Sequence, residues 1–243
     1  MEKNDIWIEN YYIDASMIAP SQEATLTSIC NFLQLIAGHH AEHHNLGFEG
    51  MAKNNQAWVL NKLRVEMSSF PKWRSTITVH TWVHLMKGPF SYRNFEIYHQ
   101  GQLIGSASTL WVALNTTTHR PARVKVVTLP IINDKLPPSG IASKIKIPTD
   151  LELLRTENHT VVYSDLDVLY HVNNVKYIEW ILNSYGVSER KLAPKFLEVN
   201  YLQETLADDI VEIKTFQGND FFYHQLIKKA TQKPVLSAKI DWK

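Results

Sequence analysis

The sequence predicts an α+β protein made of two tandem lobes, each with one long helix wrapped by an antiparallel β-sheet. Three observations support this fold class. Segments with alternating apolar and polar residues follow one another across short turns, and such short connections join antiparallel and not parallel strands. A long, largely apolar segment precedes the strands in each half. The same order of segments occurs twice in the 243 residues.

The first half opens with the predicted helix. Ser21 is its predicted N-cap, and the apolar segment that follows runs to Ala37, where Gly38 is the predicted stop. Apolar residues lie nearly all around this helix, which predicts burial on most of its sides. The region 39–57 has no counterpart in the second half, so it is predicted to be an insert that shapes a pocket or lid.

Four strands are predicted after this helix, at 58–67, 77–83, 91–98 and 103–114. Their residues alternate with a period of two, which is typical of strands with one buried face. Turn residues around Gly88 and Gly101 separate the last three, so these three are expected to form an antiparallel meander. In the first strand, the alternation places one set of apolar residues on one face: Val59, Leu63, Val65 and Met67.

The second half repeats this order. A strand is predicted at 160–163, then a helix from about Asn173 to Tyr185 ended by Gly186, then further strands at 196–202, 210–216, 221–227 and 235–242. The predicted domains are an N-terminal lobe at 1–135, a proline-rich connector at 136–155 and a C-terminal lobe at 156–243. This duplication is the arrangement of a double hotdog. Two lobes in one chain supply the pairing that single hotdogs obtain by dimerising, and a homodimer of such chains is also compatible with the sequence.

Composition and charge exclude several classes of function. Hydrophobic residues make up 44% and charged residues 20%, so the chain can bury a core and is not disordered. Twenty-five Lys and Arg against 24 Asp and Glu give a net charge of +1, which provides no overall field for nucleic acid. No apolar segment reaches the roughly 20 residues that span a membrane.

The single cysteine and the N-terminus bear on the compartment. Cys30 alone excludes an intrachain disulfide framework and a multi-thiolate zinc site, and it fits a reducing environment. The first residues lack the basic start and apolar stretch of a secretory signal. We therefore expect a cytoplasmic protein.

The most informative stretch lies at the predicted strand-to-helix junction of the second half. Asp167, His171, Asn173 and Asn174 crowd this junction. With either Asn as N-cap, the unsatisfied N–H groups of the first helical turn face the segment that bears His171, and they would favour a developing oxyanion. Glu204, on a later segment, can face the helix start if the sheet wraps the helix. Together these residues would supply a base, an orienting acid and an oxyanion site.

Here the sequence resembles the bacterial and plant acyl-acyl-carrier-protein thioesterases, a family of double-hotdog fold. The stretch Asp-Leu-Asp167-Val-Leu-Tyr-His171-Val-Asn-Asn is similar to the family signature Asp-x-Asp-x-Asn-x-His-Val-Asn-Asn. Three segments of the first half also resemble family segments: Trp58-Val-Leu, Thr81-Trp82-Val and Arg93-Asn-Phe95. The resemblance covers nearly the whole chain.

The resemblance implies hydrolysis of the thioester that joins a fatty acyl chain to the 4'-phosphopantetheine arm of acyl carrier protein, without a metal or another cofactor. It implies that Asp167, His171 and Glu204 are the catalytic residues. In the mechanism we expect, Glu204 or His171 takes a proton from water and Asp167 orients His171. The backbone amides of Val172 and Asn173 are expected to stabilise the oxyanion. The residues expected to contact substrate are Trp58, Trp82 and Asn174.

One residue departs from the family signature. Leu169 stands where the family has Asn, and a leucine side chain offers neither donor nor acceptor. If that amide acts as an oxyanion donor, its loss costs about 2.7 to 4 kcal/mol of transition-state stabilisation. Two alternatives stay open: a thioesterase acting on coenzyme A esters, and an acyl-binding protein that has lost turnover. The cysteine once proposed as a nucleophile in plant members falls at Thr205, so thiol catalysis finds no support.

A histidine cluster follows the first predicted helix. His39, His40, His43 and His44 form two pairs at the i, i+4 spacing of metal ligands on a helix. We expect Gly38 to end the helix before them and the cluster to introduce a polar loop. No metal site is therefore predicted.

Overall fold

The computed structural model describes residues 6–125, 129–132, 134–187 and 193–242. The chain divides into two compact units, Met1–Ala142 and Ser143–Lys243. Among the described residues, each unit contains five antiparallel strands and one long helix, which confirms the predicted α+β fold class.

The N-terminal unit contains five strands and two helices in its described part. The strands are β1 (Trp7–Tyr12), β2 (Gln56–Met67), β3 (Thr76–Lys87), β4 (Phe90–His99) and β5 (Gln102–Asn115). The helices are α1 (Leu26–His43) and the short α2 (Phe48–Ala52), and a 3₁₀ turn lies at Ala15–Met17. Strands β2 to β5 confirm the four strands predicted after the first helix.

The C-terminal unit repeats this sequence of elements. Its strands are β6 (Glu152–Thr160), β7 (Phe196–Tyr201), β8 (Ile210–Gln217), β9 (Phe222–Lys228) and β10 (Lys233–Asp241). Its helix is α3 (Asn174–Asn183), and a 3₁₀ turn lies at Tyr163–Asp165. The four last strands and the helix confirm the prediction for this half.

The order of strands is the same in the two units. Neighbouring strands follow the order β1-β3-β4-β5-β2 in the first and β6-β8-β9-β10-β7 in the second. Every one of these pairs is antiparallel. In both units the helix lies in sequence between the first strand and the strand at the other end of this order. The predicted duplication is therefore a duplication of topology.

Both predicted ends of the first helix are wrong. The N-cap is Thr25, whose hydroxyl accepts the backbone N–H of Ser28 at 3.1 Å. The helix also continues through Gly38 to His43. A glycine inside a helix costs about 1 kcal/mol relative to alanine. That cost is outweighed here because Ala37 and His40, on either side of it, are buried in the core.

The histidine cluster consequently belongs to a helix and not to a loop. His40 is fully buried, and its Nδ1 accepts a hydrogen bond from Arg93 Nη1 at 2.8 Å. The same Nη1 donates to Thr81 Oγ1 at 3.1 Å, and the His40 ring stacks on Trp7. Burial first, and then the charge of Arg93, lower the pKa of His40 to about 3. In the described ranges, no group of three or more His, Cys, Asp or Glu side chains is arranged to hold a metal ion.

The predicted strand at 160–163 is also wrong. Strand β6 ends at Thr160, and Tyr163 begins a 3₁₀ turn. Most residues of β6 are exposed, so its sequence lacks the apolar alternation that reveals a strand. The first residues of β6, 152–155, belong to the segment predicted as a connector.

A bulge changes the buried face of β2. The register of β2 against β5 shifts between Leu60 and Lys62. Leu60 is therefore buried in the place expected for Val59, whereas Leu63, Val65 and Met67 are buried as predicted. A bulge adds one residue to one strand, and simple alternation cannot reveal it.

The region predicted as an insert packs against its own unit. It contains the last turn of α1, then α2, then the start of β2. Leu46 and Met51 are buried in one cluster with Val83 and Ala113. No helix in the described part of the chain is long and apolar enough to cross a membrane.

A second buried histidine lies in the C-terminal unit. His224 Nε2 is 2.9 Å from the Tyr185 hydroxyl, and its Nδ1 is 3.2 Å from Thr215 Oγ1. Burial first, and then the charge of Arg155, lower the pKa of His224 to about 3. The ring is therefore neutral in the folded protein at neutral pH.

Candidate active site

The junction between β6 and α3 is built on a buried carboxylate. Asp165 is 4% exposed. Its Oδ2 accepts hydrogen bonds from His159 Nε2 at 2.9 Å and from the backbone of Val162 at 3.0 Å, and its Oδ1 lies 3.4 Å from Trp180 Nε1. Burial alone would raise the pKa of Asp165, but the hydrogen bonds from Val162, His159 and Trp180 lower it below its ordinary value. Asp165 therefore holds the turn that precedes the site.

Asp167 closes the loop that carries His171. Its Oδ1 accepts the backbone N–H of Leu169 at 2.8 Å and that of His171 at 3.2 Å. The backbone N–H of Asp167 in turn donates to the carbonyl of His171 at 2.7 Å. Tyr170, at the tip, has a φ of +61°. The predicted orienting role of Asp167 therefore takes a specific form, since the carboxylate acts on the backbone of His171.

His171 and Glu204 come together as the sequence predicts. His171 Nε2 lies 3.5 Å from Glu204 Oε2. The two side chains are 35% and 45% exposed, so water can reach both of them. His171 precedes α3, whereas Glu204 lies three residues after the end of β7. Hydrogen bonds between the start of α3 and the segment after β7, those of Val172 and Tyr177 with Thr205, bring together these two residues that are distant in sequence.

The predicted oxyanion donors are already engaged. The backbone N–H of Val172 donates to the carbonyl of Thr205 at 3.1 Å, and that of Asn173 donates to the carbonyl of Asp165 at 2.9 Å. The Asn173 side chain accepts the backbone N–H of Val175 at 2.9 Å and so caps α3. Both amides serve the junction itself in this structure, and the role of Val172 and Asn173 as oxyanion donors stays a prediction. The N-cap role of Asn173 is confirmed.

Two tyrosine hydroxyls join the start of α3 to the end of β7. The Tyr177 hydroxyl is hydrogen-bonded to the hydroxyl of Thr205, and Tyr201 Oη donates to the backbone carbonyl of Asn174 at 3.0 Å. Thr205 is fully buried. Sequence reasoning did not assign Tyr177 or Tyr201 to the site. In the sequence, both look like ordinary aromatic residues of a protein core, and only the fold brings their hydroxyls to this junction.

Apolar side chains form the exposed tip of the loop. Val168, Leu169 and Tyr170 are 85%, 44% and 72% exposed. Leu169 lies two residues before His171 and contributes its backbone N–H, but no polar side-chain group, to the loop. The residue that departs from the family signature is therefore at the site and accessible.

The two tryptophans expected to contact substrate lie in the N-terminal unit. Trp82 is fully buried, and its Nε1 donates to the carbonyl of Lys135 at 3.1 Å. Trp58 is half-buried, and its Nε1 donates to the carbonyl of Leu46 at 2.8 Å. Both indoles therefore have hydrogen-bond partners within their own unit. Their contact with substrate stays a prediction, as does that of Asn174.

Known proteins share this organisation. A family model for the acyl-ACP thioesterase N-terminal domain matches residues 4–129, and one for the acyl-ACP thioesterase C-terminal domain matches residues 150–243. The chain belongs to the acyl-ACP thioesterase family.

Plant thioesterases are among the proteins whose sequences resemble this member of the family. A chloroplastic palmitoyl-acyl carrier protein thioesterase of Arabidopsis thaliana is 27% identical over 230 residues, which cover 86% of this chain and 55% of that protein. Another, from Gossypium hirsutum, is 30% identical and matches 74% of this chain and 47% of its own length. The chain thus spans about half the length of these curated relatives.

Solved structures show the same fold over the full length of the chain. An acyl-ACP thioesterase from Bacteroides thetaiotaomicron superposes with a TM-score of 0.90 at 25% identity, covering 100% of both chains. The 12:0-ACP thioesterase from Umbellularia californica superposes with a TM-score of 0.81 at 20% identity, covering 98% of this chain and 97% of that one. The predicted double-hotdog fold is confirmed.

Proposed function

We propose that this protein hydrolyses the thioester of fatty acyl-acyl carrier protein and releases the free fatty acid, the step that ends fatty acid synthesis on the carrier. The observation that carries the proposal is the pair of His171 and Glu204, whose Nε2 and Oε2 atoms lie 3.5 Å apart at the start of α3. The family membership of both halves supplies the substrate class.

The chemistry that this pair supports is attack of water on the thioester carbonyl. The pair of Glu204 and His171 accepts a proton from water as the water oxygen bonds to the carbonyl carbon. The tetrahedral intermediate then collapses with cleavage of the carbon–sulfur bond. The pantetheine sulfur leaves as a thiolate, which is a better leaving group than an alkoxide because the pKa of a thiol is far below that of an alcohol. The proton held by the pair then passes to the thiolate, so the products are the fatty acid and the carrier thiol.

Asp167 contributes through the shape of the loop. By accepting the backbone N–H groups of Leu169 and His171, it fixes the direction in which the imidazole leaves the backbone. A base held in one orientation loses less entropy in the transition state than a mobile one. Asp167 is therefore a positioning residue in this mechanism, and the two groups that act on water are His171 and Glu204.

The test is a thiol-release assay on acyl carrier proteins loaded with saturated chains of several lengths. We expect turnover by the natural sequence and a loss of about 10² to 10⁴ in kcat for His171→Ala and for Glu204→Gln. Glu212→Gln is the matched control, because Glu212 is also a partly exposed glutamate next to a basic side chain, that of Lys214, but it lies on β8. Full activity in either of the first two variants would overturn the assignment of the pair.

A coenzyme A thioesterase is the alternative within the same chemistry. Coenzyme A presents the same pantetheine arm but not the protein carrier. Comparison of kcat/KM for one acyl chain on the two carriers separates the alternatives. We expect the higher value on acyl carrier protein, and an equal or higher value on coenzyme A would replace the proposed substrate.

A non-enzymatic acyl-binding protein is the second alternative, and Leu169 favours it. This side chain offers no hydrogen bond next to His171, and its loop tip is apolar and exposed. Such a protein would retain one acyl thioester without releasing thiol. Stoichiometric retention with no turnover across all chain lengths would replace hydrolysis by binding.

We extend the proposal to the cellular compartment of the protein, its partner and its oligomeric state. A buried, unpaired thiol at Cys30 suits the reducing cytoplasm, where acyl carrier protein would be the partner. Cell fractionation tests the compartment. Light scattering of the purified chain tests whether a homodimer forms, and a monomer at working concentration would exclude it.

A further inference from the structure

Glu204 is followed by a residue that is anchored at two points. Thr205 is fully buried, and its carbonyl accepts the backbone N–H of Val172 at 3.1 Å. Its hydroxyl is hydrogen-bonded to that of Tyr177. Val172 is the neighbour of His171. One backbone hydrogen bond therefore joins the residues next to the two members of the proposed pair.

The N-terminal unit contains the same backbone junction. Ala24 N–H donates to the carbonyl of Pro71 at 2.8 Å, as Val172 does to Thr205. Each of these donors also takes part in an isolated bridge, Ile18 with Ala24 and Leu166 with Val172.

The N-cap residues, which follow Ala24 and Val172 in the chain, also make matching backbone hydrogen bonds in the two units. The N-cap Thr25 donates its N–H to the carbonyl of Met17 at 2.9 Å, and the N-cap Asn173 donates its N–H to that of Asp165 at 2.9 Å. Met17 and Asp165 each end a 3₁₀ turn. The backbone framework of the junction is therefore a property of the repeated fold.

The side chains on this framework differ between the units. Counting from the shared hydrogen bonds, Glu23 and Phe70 take the places of His171 and Glu204. In the same alignment, Pro71 takes the place of Thr205, and Ile29, four residues after its N-cap, takes the place of Tyr177. Neither Ile29 nor Pro71 carries a hydroxyl, so the framework of the N-terminal unit forms without a hydroxyl hydrogen bond between these two positions.

We propose that Tyr177 and Thr205 are positioning residues that hold Glu204 within reach of His171. The inference rests on the proposed function and adds to it two residues that touch neither substrate nor the reacting atoms. The backbone bond to Val172 fixes where the segment lies. The hydroxyl bond to Tyr177, itself buried on α3, fixes the rotation of the peptide from which the Glu204 side chain leaves.

The need for such a device follows from the exposure of Glu204. Its carboxylate is on a flexible side chain that is 45% exposed, so packing does not hold it in one position. Misplacement of a catalytic group by about 1 Å can cost roughly 10²-fold in rate. The bond between two buried hydroxyls restricts the backbone just where that side chain begins.

The test compares variants that each remove one buried hydroxyl, either from the pair of Tyr177 and Thr205 or from a position away from it. Thr205→Val and Tyr177→Phe each remove one hydroxyl of the pair, and Tyr185→Phe removes a buried hydroxyl bonded to His224, at the other end of α3. We expect a roughly 10- to 100-fold loss in kcat for the first two variants, with KM unchanged within about twofold. Thr205→Ser restores the hydroxyl and is expected to restore most of kcat.

The double variant Tyr177→Phe with Thr205→Val is expected to lose no more kcat than the worse single variant, since both changes break one bond. The control Tyr185→Phe is expected to keep the natural kcat even where its thermal stability falls. If Thr205→Val and Tyr177→Phe are destabilised like the control but keep their kcat, the positioning role is wrong.

A measurement without turnover separates this inference from the proposed function. The ring resonances of His171, assigned with His171→Ala, are expected to move in Glu204→Gln and in the same direction in Thr205→Val, but not in Tyr185→Phe. An inactive natural protein would refute the proposed function and leave this comparison to decide the inference. Unmoved His171 resonances in Thr205→Val would refute the inference even if hydrolysis is observed.

Discussion

The carboxylate of Asp167 accepts a hydrogen bond from the backbone nitrogen of His171 at 3.2 Å. Because this contact needs only an acceptor oxygen, we predict that Asp167→Asn keeps most of the hydrolytic activity. Asp167→Ala removes the acceptor for two amides and should lose about 10-fold or more in kcat, as the loop loses its shape. Steady-state assays of both variants with one acyl-acyl carrier protein make the comparison.

Equal losses of activity in Asp167→Asn and Asp167→Ala would contradict this assignment. If the negative charge of Asp167 acts on the imidazole, then Asn and Ala should be equally harmful. A matched control is Asp14→Asn, since Asp14 Oδ1 also accepts a backbone N–H, that of Ser16 at 2.8 Å, in the N-terminal unit.

Leu169→Asn tests the departure from the family signature. The backbone N–H of Leu169 already bonds to Asp167, so the substitution changes only the exposed side chain. We predict a gain in kcat of about 10-fold or more, up to the roughly 10² to 10³ that one oxyanion donor supplies. Thiol release is the measurement, with Leu169→Ala as the control for loss of the apolar side chain. No gain in the Asn variant would mean that another group already fills this role.

The stability of the fold should fall in acid because of His224. Its pKa is lowered to about 3 in the folded state, whereas an unfolded histidine titrates near 6.5. Between these values the unfolded chain binds the proton and the folded chain does not, so the free energy of unfolding decreases as the pH falls below about 6.5. One such group contributes a slope of about 1.4 kcal/mol per pH unit. His40, whose pKa is also lowered to about 3, acts in the same direction.

Chemical denaturation between pH 7 and pH 4 measures this slope. His224→Gln keeps a group that can bond to Tyr185 but does not titrate, so the slope should decrease by about 1.4 kcal/mol per pH unit. Tyr185→Phe is the control, because it removes the hydrogen bond to His224 but keeps the buried imidazole, so most of the slope should remain. An unaltered slope in His224→Gln would show that this ring is protonated in the folded state.

Gly38→Ala should stabilise the protein. Gly38 lies inside α1, and a Cβ built there meets no atom within 4 Å. Alanine in place of a helical glycine is worth about 0.5 to 1 kcal/mol. Thermal unfolding is the measurement. Gly105→Ala is the contrasting variant, since its Cβ would lie 2.2 Å from Met67 Sδ, and it should be destabilised.

The strands were predictable because their signal is local. Alternation identifies β3, β4 and β5, which pair with one another in the order in which they follow along the chain. The exposed β6 carries no such signal, and its start was missed. The end of α1 was missed for a different reason: the burial of His40 against Arg93, a contact across 53 positions, outweighs the local preference of Gly38.

The candidate site also has a part that the sequence predicts and a part that depends on tertiary contacts. The residue types around His171 predict its meeting with Glu204, because a sheet that wraps the helix leaves few other places for that carboxylate. The engagement of the Val172 and Asn173 amides depends on acceptors, the carbonyls of Thr205 and Asp165, that are set by tertiary folding. Residue types at a helix start therefore indicate donors, but not whether those donors are already used.

The side chains differ between the matching junctions of the two units, and this difference predicts how many acyl thioester molecules one polypeptide binds. Phe70 cannot take up a proton, and Glu23 has no imidazole beside it at the corresponding place, so the first lobe has no equivalent reaction centre. Under the proposed function, one reaction centre, that of His171 and Glu204, is therefore expected among the described residues. Titration with a non-hydrolysable acyl thioether should reach saturation at one equivalent per polypeptide, half of what a symmetric pair of identical lobes would take up.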